Sequence, residues 1–118
     1  MTATLDPSSD QLISLSVVTT DTSARVSAAG EIDSTSAPHL HAELEARLDE
    51  GVRELIVDLD GVTFLDSAGL CALAAVHRRA RAEGVTLRVL ASQRAVIRPL
   101  QITGLWDLFA AEQIPPAR

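Results

Sequence analysis

The stretch Leu55-Ile56-Val57-Asp58-Leu59-Asp60-Gly61-Val62-Thr63-Phe64-Leu65-Asp66-Ser67-Ala68-Gly69-Leu70 constrains this chain more than any other. Its opening run of branched apolar residues predicts a buried strand. Asp60-Gly61 predicts a loop, and Asp66-Ser67 stands directly ahead of an apolar-periodic helical stretch. A serine hydroxyl is thereby placed at or just before a helix N-terminus, beside a carboxylate. Such a terminus offers unpaired N–H groups and the positive end of the macrodipole, so it suits a group that carries negative charge, such as a phosphoserine. The ordinary structural role for Ser or Asp here is an N-cap, worth ~1 kcal/mol to the helix it starts.

The rest of the chain alternates strand and helix patterns. Residues 1–10 are polar, contain Pro7, and predict a flexible tail. Leu12–Thr19 and Ala24–Ala29 predict two strands joined at Asp21-Thr22-Ser23, hence an antiparallel hairpin. Gly30-Glu31-Ile32-Asp33 leaves the second strand. Thr35 or Ser36 then caps a helix with Pro38 in its first turn, Leu40, Leu44 and Leu48 on one face, and Gly51 at its end. A strand over Leu55–Leu59, a helix from about Ser67 to Glu83 and a strand over Thr86–Leu90 follow. A further helical pattern spans Gln93–Ile102, with Pro99 expected to distort or shorten it. Gly104 stops that helix, Trp106–Ala111 predicts a last short strand, and residues 114–118 a tail. Alternating strands and helices imply parallel pairing with right-handed crossovers; the hairpin makes the sheet mixed. The expectation is one small α/β domain over residues 11–113, with a mixed, mostly parallel β-sheet and helices packed against it. In such a sheet, sites gather where strand C-terminal ends meet helix N-termini, which puts Gly30–Asp33 and Phe64–Ser67 side by side.

Composition narrows the chemistry. The 118 residues suffice for one core without disulfides or metal. Aromatics make up only 3%, so that core rests on Leu, Val, Ile and Ala. A net charge of −6 argues against a direct nucleic-acid surface, which needs clustered positive charge. The cluster Arg78-Arg79-Arg81 falls late in a predicted helix, where cations form a favourable solvated face. No apolar run reaches the ~18 residues of a membrane span and no signal peptide precedes the domain, so no membrane insertion is expected. The lone Cys71 suits a reducing cytoplasm, and among Leu70, Ala72, Leu73 and Ala74 it predicts inert packing. His39, His41 and His77 lack metal spacing, and no metal or cofactor is expected. Ser67 has no Gly-x-Ser-x-Gly elbow, His77 lies about two and a half helical turns away, and no Gly-rich phosphate loop occurs. An enzyme is not expected.

Leu65-Asp66-Ser67-Ala68-Gly69-Leu70, with Gly30-Glu31-Ile32-Asp33 before it and Ile102-Thr103-Gly104-Leu105 after it, resembles the STAS domain family, and within it the bacterial anti-sigma factor antagonists. The resemblance runs from about Leu12 to about Glu112. It implies that Ser67 is the phosphoacceptor and that Asp66 orients the loop and contacts a partner. It further implies that Asp33 lies at the docking surface, which Ser67, Ala68 and Gly69 complete. Gly69 would permit close backbone approach in the first helical turn. The implied partners are an anti-sigma factor acting as a serine kinase and a PP2C-type phosphatase that resets the switch, the protein being a monomer or a weak dimer. Ala68 departs from relatives with a second Ser or Thr there, and Cys71 and Ala74 from relatives with smaller residues.

Two other readings compete. One is a non-switching STAS scaffold, a subunit of a lipid-transport or signalling complex, in which Ser67 is only a cap and contact residue. The other is a module that binds a small anion, nucleotide or lipid in the strand-edge cleft. Phosphate on Ser67 in cells separates the first from the switch; a thermal shift with ATP, GTP or phosphate tests the second.

Overall fold

A computed structural model describes residues 13–116, so the predicted tail at 1–10 and the last two residues lie outside the described residues. The hairpin forms as expected: β1 (Ile13–Thr19) pairs antiparallel with β2 (Ser23–Ile32). Helix α1 (Ala37–Asp49) leads to β3 (Glu54–Leu65), α2 (Ser67–Ala82) to β4 (Thr86–Ala91), and α3 (Arg94–Ile102) with α4 (Leu105–Leu108) to β5 (Glu112–Gln113). The sheet runs in the order β1-β2-β3-β4-β5, with every pair after the hairpin parallel. Each crossover advances one strand in the same direction, so right-handed connections place the helices on one face.

Period-two burial carries that arrangement. Ala24, Val26 and Ala28 of β2, and Leu55, Val57 and Leu59 of β3, face the helices and are buried. They meet Leu40, Leu44 and Leu48 of α1, Leu73 and Val76 of α2, and Val96 and Leu100 of α3 in a single core. The alternate positions form the other face, where Arg25 pairs with Asp58 at 2.7 Å. Arg79 fastens α2 to α1 through Glu45 and through Asp49 at 2.6 Å, so one member of the basic cluster is engaged while Arg78 and Arg81 remain exposed.

Four local expectations need correction. Asp60-Gly61 is not a loop: β3 continues through it to Leu65, and β2 continues through Gly30-Glu31 to Ile32. The pairing absorbs the extra residues as irregularities between Ser27 and Ala29 and between Gly30 and Glu31. Glycine fits at position 61 because a Cβ there would meet the Ala29 Cβ at 2.8 Å. Pro99 sits inside α3 without ending it, because Val96, Ile97 and Leu100 anchor that helix in the core. The predicted strand at Trp106–Ala111 is instead the short helix α4 and a turn. Gly104 in the left-handed region starts this piece, and buried Phe109 packs against the His77 ring at 5.2 Å. Strand pairing comes only at Glu112–Gln113, and Ile114 extends it by donating to the Ala91 carbonyl.

Candidate functional site

Two helix starts lie together at the C-terminal edge of the sheet. Ile32 and Leu65 are register partners at the ends of β2 and β3, and the Asp66 N–H donates to the Ile32 carbonyl at 3.1 Å. The chain therefore leaves both strands side by side, as the positions of Gly30–Asp33 and Phe64–Ser67 predict.

The first exit is closed on itself. One Asp33 carboxylate oxygen accepts the Thr35 and Ser36 N–H groups at 2.9 and 3.1 Å, and the Asp33 carbonyl accepts the Ala37 N–H at 2.8 Å. The Ser36 hydroxyl donates to the Glu31 carbonyl at 2.7 Å and accepts the Asp33 N–H at 2.9 Å. Ser36 is only 2% exposed and its side chain makes no helix-cap bond. Ser36 holds the N-cap position expected for Thr35 or Ser36, but its side chain makes no cap bond and instead staples the loop to the end of β2, while the Asp33 carboxylate takes the Thr35 and Ser36 N–H groups ahead of the helix.

The second exit is organised by Asp66. In extended backbone ahead of α2, it accepts the Ala68 and Gly69 N–H groups at 2.9 and 3.3 Å. Asp66, not Ser67, is therefore the N-cap. Ser67 is the first helical residue, exposed, and its hydroxyl has no protein partner among the described residues. Ala68 is half-buried. Gly69 is buried, and a Cβ there would fall 2.4 Å from Leu65 Cδ1 and 2.7 Å from Ile32 Cγ2. Its missing side chain is what lets the first turn of α2 lie on the ends of β2 and β3.

A groove of about 410 Å³ opens next to Ser67 between α1 and α2, lined by Ser34, Ala37, Pro38, His41, Ala68, Cys71, Ala72 and Ala75. Cys71, expected as inert packing, is exposed in its wall one turn beyond Ser67. The α1 side of this groove escapes sequence reasoning, since only the fold sets Ser34, Pro38 and His41 opposite α2. Phe64, which the sequence places at this edge, is 47% exposed two residues before Asp66. Nothing at this edge gathers acids, histidines or cysteines into a metal-binding group among the described residues. No described helix is long and apolar enough to cross a membrane.

Comparisons with known proteins agree on one kinship. The family model for the STAS domain matches residues 14–116. The anti-sigma-B factor antagonist of Bacillus subtilis is 31% identical over 96 residues, covering 81% of this chain and 87% of that protein. Among solved structures, an anti-sigma factor antagonist from Mycobacterium paratuberculosis superposes with a TM-score of 0.78 at 35% identity, covering 85% of each chain. The anti-sigma factor antagonist SpoIIAA in its unphosphorylated form gives a TM-score of 0.74 at 17% identity over 86% of this chain and 88% of its own, a likeness of fold alone.

Proposed function

The chain belongs to the STAS domain family, and from that premise we propose that it is an anti-sigma factor antagonist switched by phosphorylation of Ser67. In this reading the unmodified protein binds an anti-sigma factor and so releases the sigma factor that it holds. The anti-sigma factor is itself the serine kinase that modifies Ser67, and a PP2C-type phosphatase removes the phosphate. The protein acts in the cytoplasm as a binding partner and catalyses nothing.

The observation that carries the proposal is the exposed Ser67 hydroxyl, without a protein partner among the described residues, at the first position of α2 beside a carboxylate that has already taken the capping role. Phosphorylation adds roughly −1.5 to −2 charges at neutral pH. The Ala68 and Gly69 N–H groups are held by Asp66, so the phosphate cannot use them without displacing that cap. It stays at the surface as added negative charge next to Asp66, with Asp33 at the neighbouring strand end. The helix dipole offsets part of this in the free protein. In a complex fitted to a neutral hydroxyl the same charge is buried against its own kind, and leaving it unpaired weakens binding by about two decades or more. No large conformational change is required. Asp66, Ser67 and Ala68 form the contact surface with Asp33 beside them, and Gly69 shapes it from below.

Intact-mass spectrometry with peptide mapping, on protein isolated from its own cells with and without phosphatase treatment, tests this. A phosphatase-sensitive species heavier by one phosphoryl group and mapped to Ser67 is expected. Protein that stays unmodified across growth and stress conditions would instead favour the non-switching scaffold.

A further inference from the structure

The two edges of the sheet are built differently. β5 is only two residues long, its Glu112 carboxylate holds Arg88 at 3.0 Å, and Pro115 and Pro116, which have no N–H to offer, follow closely. A short strand, charge and proline are the devices that keep an edge from pairing with another chain. β1, at the other edge, has none of them. Its seven residues, from Ile13 to Thr19, include no charge, glycine or proline, and they pair with β2 without a register shift. Among the described residues nothing pairs with its outer side.

The hairpin fixes which groups face outward. The Thr20 N–H donates to the Ser23 carbonyl at 2.8 Å, and bonded pairs alternate along an antiparallel ladder. Val18, Ser16 and Ser14 therefore bond across to β2, while Ile13, Leu15, Val17 and Thr19 turn N–H and C=O away from it. On the helix face, Leu15 and Val17 pack against the core but stay partly exposed. Backbone groups and apolar surface are thus left uncovered at the same place.

We infer that β1 pairs antiparallel with β1 of a second copy of this chain, across a two-fold axis at Ser16. With the axis there, all four outward-turned residues find partners: Leu15 bonds Val17 of the second copy, Ile13 bonds Thr19 of the second copy, and the reverse pairs follow by symmetry. An axis at Leu15 or Val17 would leave Thr19 or Ile13 without a partner in β1. Leu15 and Val17 of both copies meet on the helix face and join the two cores. On the other face serine meets serine at position 16, and Ser14 meets Val18, so no charge is buried. The occupant is a second copy because the strand is complementary to itself, and because its neutral strip lets two chains of net charge −6 approach. One strand pair is small beside the ~1,600 Å² of a standard interface, so the dimer is weak and forms at about micromolar concentrations or above. Ser67 follows β3, two strands away, so the pairing does not depend on the phosphorylation switch.

Sedimentation equilibrium of the full chain from roughly 1 μM to 1 mM tests this. A reversible monomer–dimer equilibrium is expected, tightened by salt that screens the acidic copies. S16K sets two like charges opposite each other from an exposed position and should weaken dimerisation by about tenfold or more, although it lowers the net charge. Mild oxidation in a Cys71→Ala background reads the register, and serves if S16K does not fold. Ser16 lies on the axis in a non-hydrogen-bonded pair, with Cα atoms about 4.5 Å apart and within disulfide reach. S16C should therefore cross-link, and V18C, which lies opposite Ser14 of the second copy, should not. A dimer that salt dissolves, undiminished dimerisation of S16K, or cross-linking of V18C as readily as S16C overturns the pairing. A chain that stays monomeric over the whole range overturns it too, and would assign the edge to another strand, from residues 1–12 or from a different protein.

Discussion

Ser36 and Ser67 stand at neighbouring helix starts on the same sheet edge, each within three residues of an aspartate, yet they occupy opposite states. Ser36 is buried, and its hydroxyl joins the Glu31 carbonyl to the Asp33 N–H. Ser67 is exposed and has no protein partner among the described residues. The difference lies in which side chain the backbone N–H groups recruit. At α1 the aspartate sits three residues before the serine, so the chain turns back and encloses the hydroxyl. At α2 the aspartate immediately precedes the serine, takes the N–H groups itself, and leaves the hydroxyl facing outward. One start is a structural staple and the other a surface available for chemistry.

Substitutions can break this comparison, beginning with the packing beneath it. Gly69→Val drives a branched side chain into Leu65 and Ile32, and denaturant unfolding should report a loss of about 3 kcal/mol, as for an overpacked core. A loss under about 1 kcal/mol would mean that the first turn of α2 is free to shift. Ser36→Ala removes the hydroxyl that joins the part-buried Glu31 carbonyl and Asp33 N–H and should cost about 2 kcal/mol. Asp66→Ala removes the N-cap and should cost ~1 kcal/mol, with Asn restoring most of it. Ser67→Ala should change stability by no more than about 0.5 kcal/mol while abolishing phosphate incorporation. Equal destabilisation by Ser36→Ala and Ser67→Ala would erase the distinction between the two serines.

Much of this edge is legible in the sequence because its signals are local. Period-two and four-residue spacings give the strands and helices, and Asp66-Ser67 ahead of an apolar-periodic stretch gives the α2 start. The division of labour within that pair is not legible, since Asp and Ser are equally good caps and the backbone at Asp66 decides between them. Asp60-Gly61 misleads because turn residues also serve bulges; only the nearness of Ala29 shows that the strand continues. Trp106–Ala111 misleads because six residues are too few to separate strand from helix by period, and the left-handed Gly104 decides in favour of a helical turn. The groove beside Ser67 is tertiary: its two walls lie some thirty residues apart in the chain.

The most direct test of the proposed switch is the affinity of two forms of this chain for the proposed anti-sigma kinase, one unmodified and one carrying phosphoserine at position 67. Titration calorimetry should find the phosphorylated form weaker by about hundredfold or more, with Ser67→Ala binding like the unmodified protein. Equal affinity of the phosphorylated and unmodified forms would contradict the account.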